Sequence, residues 1–362
     1  MDCTGRVDAF AAKMGKYDLD LALLFDRDDI RYFTGFRLNR VVSSILAVSR
    51  DGDPTYIVAQ LDLKRAKRDC WIEQVIPFPE DTPNYLAALT PLFRGTLRRI
   101  GVEKDTLTLA QMEYMMEIAG VGVEFVDVRA LTAQLRIIKS EEEIACIRRA
   151  ADVASRVMNK VRQEIRPGVR EGELASWTSY LMVKEGAEGP SFEPFMMSGE
   201  NAWLPQRVAS QKVLQEGELV LLDMGAVCDG YCSDITRTFA VGEISQEQKR
   251  VFQIAWKAQQ AAIGAVRPGV HAFEVDAAAR EIVEAEGLGV YFPHLTGHGV
   301  GVSVHEAPIL DKGVDTVLQP GMVVTVEPGV YLPGVGAARV EDMVLVTTSG
   351  CELLTNATRD LV

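Results

Sequence analysis

The C-terminal half of the chain repeats itself. IRPGVREGEL (165–174) returns as VRPGVHAFEV (266–275), and KEGA (184–187) returns as AEGL (285–288). QEGELVLLDMG (215–225) returns as QPGMVVTVEPG (319–329), which sets Asp223 in register with Glu327. Asp234 and Glu341 follow at comparable distances. Matched blocks in one order restrict this part to a duplicated architecture in which each copy reads as helices followed by a β-hairpin. A period this long, present twice, excludes a solenoid.

The 362 residues exceed one average domain, so a second unit is expected ahead of the repeat. Residues 1–130 read as a small α/β domain and 131–362 as the duplicated one, an α+β architecture overall. In the first, RVDAFAAKMGKYDLD has helical spacing, while LALLF (21–25), IRYFTGF (30–36), SSILAVS (43–49) and TYIVAQ (55–60) read as strands. LTLAQMEYMMEIAG (107–120) is a helix ending at Gly120, and VEFVDV (123–128) closes the unit as a strand. No His, Cys and carboxylate cluster stands out there, so no chemistry is assigned to it. The second domain opens with a helix over 139–165, marked by Ser140 and Glu143 as a capping box.

Asp223, Asp234, Glu327 and Glu341 lie in or beside apolar, β-branched runs that read as buried strands. Buried carboxylates are costly unless something positive holds them. Asp223 and Asp234 flank Cys228-Asp229-Gly230, and Glu327 and Glu341 flank Leu332-Pro333-Gly334. Antiparallel pairing around such turns sets each acidic pair nearly opposite, on one face. Two like charges there destabilise a sheet; with divalent cations between them the same spacing is coordination geometry. His298, between Gly297 and Gly299, adds a nitrogen ligand. One histidine and four carboxylates suit Mn²⁺, Co²⁺, Fe²⁺ or Zn²⁺, and a pair of such ions activates water and polarises a carbonyl. His294 and His305 flank the ligand histidine, and His305 is placed to meet an oxygen that gains charge. Arg237 and Arg339 adjoin the second acid of each hairpin and offer the competing explanation, a salt-bridged acidic patch.

The net charge of −13 argues against a nucleic-acid partner. No apolar run is long enough for a membrane span. The start, MDCTGRVDAF, lacks an apolar signal core, which points to the cytoplasm. The six cysteines are scattered, and Cys228 and Cys232 lack the second pair of a zinc cluster.

Together these motifs resemble the pita-bread metallopeptidases, the group that holds methionine aminopeptidase, aminopeptidase P, prolidase and the metal-free creatinase. DDIRYFTGF (28–36) is similar to that group's N-terminal creatinase-type domain, and LRIIKSEEEI (135–144) to the start of its catalytic domain. The likeness is greatest to prolidases and related Xaa-Pro peptidases. It implies hydrolysis of Xaa-Pro bonds through a dinuclear, metal-activated hydroxide. In that scheme Asp223 binds one ion, His298 and Glu327 bind the other, and Asp234 and Glu341 bridge them. Glu327 moves the proton to the leaving amine, His305 stabilises the tetrahedral intermediate, and His294 helps hold the substrate. Arg339, beside the substrate, and Thr236 orient the acids. The resemblance also implies a homodimer acting on small peptides. One position departs: the family's Leu-Pro-His run is here Leu204-Pro205-Gln206. Glutamine hydrogen-bonds but carries no proton at neutral pH. Gln206 therefore stays a substrate-binding candidate and raises an alternative, a metal-dependent relative acting on a small non-peptide amide or as a lyase.

Overall fold

The computed structural model describes residues 3–38, 42–80, 84–93, 97–204 and 208–361. The chain divides into two compact units, Met1–Arg136 and Ile137–Val362.

The first unit begins with α1 (Thr4–Lys16), which buries Val7, Phe10 and Met14 along one stripe. It continues through β1 (Leu21–Leu24), α2 (Arg27–Thr34), β2 (Ser44–Ser49), β3 (Pro54–Ala59) and α3 (Leu63–Asp69). β4 (Gln74–Phe78), β5 (Arg99–Val102), α4 (Leu109–Ala119), β6 (Glu124–Asp127) and α5 (Arg129–Arg136) complete it. The strands form one mixed sheet in the order β4-β3-β2-β1-β5-β6. β1 lies inside it, antiparallel to β2 and parallel to β5. All four of its side chains are buried, which is why LALL is an unbroken apolar run.

The run IRYFTGF, expected as a strand, is instead the end of α2. Asp26 accepts from the N–H groups of Asp28 and Asp29, and Gly35 closes the helix at φ 68°. Ile30 and Phe33 then turn inward one helical step apart. Capping at both ends outweighs the β preference of the aromatic residues.

The second unit is the duplicated one. Its first copy holds α6 (Glu141–Arg162), α7 (Glu171–Lys184), β7 (Gly189–Pro190), β8 (Phe195–Ser198), α8 (Glu200–Trp203), β9 (Leu219–Met224), β10 (Ala226–Cys228), β11 (Tyr231–Cys232) and β12 (Ile235–Ala240). The second holds α9 (Gln246–Ala265), α10 (Ala272–Ala285), β13 (Gly297–Gly299), β14 (Glu306–Leu310), β15 (Val323–Val326), β16 (Gly329–Leu332), β17 (Gly336–Arg339), β18 (Asp342–Val346) and β19 (Cys351–Leu353). The Ser140–Glu143 capping box starts α6 as its sequence requires.

Duplication extends to single hydrogen bonds. Gly168 N–H donates to Leu214 O, and Gly269 N–H to Leu318 O. Arg170 bridges Val213 and His271 bridges Val317. Each copy has its own core: α6 and α7 pack Val157, Met158 and Leu174 against Val220 and Leu222 of β9. Likewise α9 and α10 pack Ala258, Val275 and Ala279 against Val324 and Val326 of β15. β9 is central in the sheet β12-β9-β8, and β15 is central in β14-β13-β15-β18-β19. Asp223 and Glu327 sit where these central strands end, and Asp234 and Glu341 sit just before the strands paired with them, β12 and β18.

Candidate metal centre

The first hairpin turns at Asp229-Gly230, whose φ values of 48° and 86° are both positive, as a two-residue type I′ turn demands. Cys228 faces Tyr231, and Asp223 faces Thr236. That single register leaves Asp234 opposite Gly225. Asp223 and Asp234 are therefore diagonal neighbours on one face rather than directly opposed, a correction to the expected geometry. Gly225 is required here, because a Cβ would stand 1.8 Å from Ser233 O. In the second hairpin Val326 faces Asp342 and Gly329 faces Arg339. The same register sets Glu327 directly opposite Glu341.

The side chains of all five expected ligands meet. Ligand atoms of Asp223, Asp234 and Glu341 lie within 4.8 Å of one another, as do those of His298, Glu327 and Glu341, and those of Asp234, His298 and His305. Glu341 belongs to the first two groups, and Asp234 to the first and third. His298 Nε2 stands 3.1 Å from Glu327 Oε1 and 3.6 Å from Asp234 Oδ2. Its Nδ1 lies 3.1 Å from Gly299 O, an acceptor only, so Nδ1 carries the proton and Nε2 faces the acids.

Burial makes this set electrostatically incomplete. It pushes Asp234 and Glu341 well above the usual carboxylate range, and neighbouring acids push them further. It also raises Asp223, against the pull of the Arg339 guanidinium. Glu327 goes the other way: burial opposes ionisation, but the hydrogen bond and charge of His298 hold it at about 2. His298 is correspondingly raised by Glu327, against burial. Asp223 Oδ1, Asp234 Oδ1 and Glu341 Oε1 are buried without a hydrogen-bond partner. Buried polar atoms are nearly always partnered. Three orphan oxygens from different acids, beside an imidazole nitrogen, fit a hard divalent cation.

Residues behind the acids fix their orientation. Arg339 donates through Nη2 to Asp223, through Nε to Thr236 Oγ1 at 3.0 Å, and through Nη1 to Tyr331 Oη at 2.9 Å. Thr236 donates its hydroxyl hydrogen bond to Glu341 Oε2 at 2.6 Å. His294 sits 3.0 Å from Tyr331 Oη and 2.7 Å from Leu295 O. Arg237 does not meet the acids' side chains. It is fully buried and bonds Asp342 Oδ1 at 2.7 Å and the carbonyl of Glu341. The salt-bridged patch is thus half absent: Arg339 engages Asp223, and no arginine among the described residues reaches the orphan oxygens.

Sequence reasoning missed Tyr331 and Thr325. Thr325 accepts from His298 N–H at 3.0 Å and donates to Glu327 Oε1 at 3.1 Å. Both are even steps from Glu327 along one strand path, so the two-residue period would have found them.

Asp223, Asp234 and Glu327 floor a cavity of about 400 Å³ that His294, His305, Phe192, Phe195 and Leu295 also line. His305 is exposed at its edge, its ring 4.1 Å from that of His298. Phe192 and Phe195 pack 5.3 Å apart as an apolar wall. Gln206 lies outside the described residues.

Comparison with known proteins agrees with this geometry. Residues 145–348 match the model of metallopeptidase family M24, and residues 6–138 match the creatinase/prolidase N-terminal domain. The chain is 36% identical to the Xaa-Pro dipeptidase of Pyrococcus furiosus over 99% of both proteins. It superposes on the Xaa-Pro dipeptidase of Bacillus anthracis with a TM-score of 0.91 at 33% identity, covering 100% of this chain and 99% of that one. The X-Pro aminopeptidase of Thermotoga maritima gives 0.84 at 31% identity over 96% and 99%. A creatinase-type first domain, a pita-bread second domain and a cation-ready acidic centre belong together: the chain is a peptidase of metallopeptidase family M24.

Proposed function

We propose that this peptidase hydrolyses Xaa-Pro bonds with two divalent cations held by Asp223, Asp234, His298, Glu327 and Glu341. The observation that carries the reading is the set of three orphaned carboxylate oxygens beside His298 Nε2, under a cavity large enough for a small peptide. Asp234, Glu341 and His298 each belong to two ligand groups; a carboxylate has two oxygens to share and the imidazole offers only Nε2, which supports Asp234 and Glu341 as bridging residues, with Asp223 on one side and His298 and Glu327 on the other. When bound, the ions supply Lewis acidity and lower the pKa of water.

The chain's own groups do the rest. Glu327, held by the Thr325 hydroxyl, accepts the proton of the attacking water and delivers it to the proline nitrogen. His305 stands at the cavity edge, where it donates to the oxygen that gains charge. His294, tautomerically fixed by Leu295 O and tied to Tyr331, holds the substrate's far side. Arg339 orients Asp223 and, with Thr236, Glu341, beside the substrate. Phe192 and Phe195 offer the proline ring an apolar face.

The ions are drawn from Mn²⁺, Co²⁺, Fe²⁺ and Zn²⁺, with manganese first, since the donors are four carboxylates and one imidazole. All six cysteines are free, which supports a reducing compartment such as the cytoplasm. None of the described helices is long and apolar enough to cross a membrane. A homodimer rests on the family resemblance. No observation favours the non-peptide amide or lyase alternative, and the named relatives are peptidases.

The test is hydrolysis of Xaa-Pro dipeptides and longer Xaa-Pro peptides by the chelator-stripped chain with Mn²⁺ or Co²⁺ restored. Metal-dependent cleavage before proline is expected. Turnover of peptides lacking proline, with none of Xaa-Pro substrates, would overturn the assignment.

A further inference from the structure

The two copies of the repeat differ on one side of their second helix. From IRPGVREGEL and VRPGVHAFEV through KEGA and AEGL the spacing is constant, so Asp276 and Arg280 of α10 align with Ala175 and Ser179 of α7. Ala175 is buried, and Ser179 Oγ bonds back to Ala175 O at 3.2 Å within its own helix. Asp276 is buried too, but its Oδ2 pairs with Arg280 Nε at 2.7 Å, and the arginine side chain is only 11% exposed. α7 forms without an ion pair, so the repeat does not need one there. Buried ion pairs are weak stabilisers, and what this pair holds matters more than the pair itself.

It holds the stretch of chain that carries His294. Arg280 Nη1 donates to Phe292 O at 3.1 Å and Nη2 to His294 O at 2.7 Å. The guanidinium also lies over the Phe292 ring, 4.4 Å from its centroid. Phe292 in turn meets the His294 ring edge-on at 5.1 Å. Asp276 Oδ1 accepts from Thr296 Oγ1 at 2.7 Å. Two side chains one helical turn apart thus fasten residues 292, 294 and 296.

That stretch shapes the cavity. His294 and Leu295 line it, as does Asp311, whose Oδ1 is 3.3 Å from Arg280 Nη2. Arg280 fixes the carbonyl of His294, while Tyr331 Oη and Leu295 O fix its ring. Thr296 O accepts from Glu327 N at 2.8 Å, so the His294 stretch and the acids share one frame. A side chain that contacts a substrate loses least on binding when its backbone is already in place.

We propose, resting on the substrate-holding role given to His294 above, that Arg280 is a positioning residue that sets His294 for the substrate, with Asp276 as its counter-ion. Arg280→Lys keeps a positive charge beside Asp276 but lacks the planar fork that reaches both carbonyls. KM for the peptide that the wild-type chain cleaves is expected to rise about tenfold. kcat and bound Mn²⁺ per chain should change by less than about twofold. In a His294→Ala background, whose own KM is raised, the same Arg280→Lys change should move KM by less than about twofold, because residues that act through one contact are not additive. Asp276→Ala with Arg280→Ser, the pair that α7 carries, removes both charges together and should raise KM at least as far as Arg280→Lys. An unchanged KM in Arg280→Lys overturns the proposal, as does a tenfold rise that persists in the His294→Ala background. A joint fall of kcat, metal content and melting temperature at constant KM, in both variants, does so too, by making the pair a part of the fold alone. If His294→Ala itself leaves KM unchanged, the role of His294 falls and the proposal with it. Each variant is compared on whatever peptide the wild type cleaves, so a wild type that ignores proline would sink the Xaa-Pro reading and leave this test standing.

Discussion

Each unit buries acids, and the two clusters are balanced differently. In the first, Asp29 and Glu103 are wholly buried. Arg136 Nη1 stands 2.6 Å from Asp29 Oδ1, and Arg129 Nη1 is 3.1 Å from Asp29 Oδ2 and 3.5 Å from Glu103 Oε1. Glu103 Oε2 accepts from the N–H groups of Phe25 and Asp26 at 2.6 and 2.7 Å. Burial, helped by Asp29, pushes Glu103 up to about 9, so it keeps its proton at neutral pH. Burial works against Asp29 too, but Glu103's hydrogen bond and Arg136 hold it below the usual range. That cluster has two arginines for two acids, and its one carboxylate oxygen that accepts no hydrogen bond, Glu103 Oε1, still faces Arg129 at 3.5 Å. The second cluster has four acids, one arginine and one histidine, and three oxygens remain unmet. Buried acids alone do not mark a metal site; buried acids that exceed the cations provided do.

The largest expected effect breaks the second cluster. Asp234→Ala should abolish peptide hydrolysis and lower the Mn²⁺ retained per chain, read by elemental analysis after gel filtration. Retention of both would contradict its place between the ligand groups. Next comes the first cluster. Arg136→Met leaves Asp29 buried with one cation fewer and should cost about 3–5 kcal/mol of stability, while metal content and KM stay unchanged. Chemical denaturation measures the one and elemental analysis and steady-state kinetics the others; lost metal would mean that the clusters are not independent.

The pH dependence sharpens the contrast. Acids whose folded pKa is raised contribute stability that is complete below about pH 4, and it is lost as pH rises through the folded value. For Asp234 and Glu341 this makes the chelator-stripped chain lose stability as pH rises above the ordinary carboxylate range. Loading with Mn²⁺ requires those protons to leave, so the loaded chain should gain on the stripped one as pH rises. Parallel melting curves at every pH would refute this. Glu103 adds a loss between about 4.5 and 9 that is common to both forms. Glu103→Gln, which keeps a donor for Asp29 and an acceptor for the two N–H groups, should leave stability at pH 4 within about 1 kcal/mol of wild type and remove that common loss, so the variant gains on wild type as pH rises. An undiminished slope would place the proton elsewhere.

Much of the buried acidic cluster was legible because hairpins keep their acids close in sequence. Asp223 and Asp234, or Glu327 and Glu341, are separated by one turn, and the repeat links the pairs. The diagonal offset of Asp223 was not legible, since the register depends on the Asp229-Gly230 turn. Tyr331 and Thr325 are common strand residues, marked not by their type but only by their even spacing from Glu327. The first unit's cluster was invisible for a plainer reason: Asp29, Glu103, Arg129 and Arg136 come from distant segments, and only β1, β5 and their flanking helices bring them together. α2 was misread because Tyr32, Phe33 and Phe36 carry β preference, while its fate is set by Asp26 and Gly35 at its ends.

The most direct test of the central claim is the number of Mn²⁺ ions bound per chain when the stripped protein is titrated at pH 7 in a calorimeter, in two buffers that differ in ionisation enthalpy. Two ions per wild-type chain are expected, with protons released as they bind. A wild-type chain that takes up no divalent cation, or takes it up without releasing protons, would contradict the claim that the excess acids of the second unit are balanced by metal.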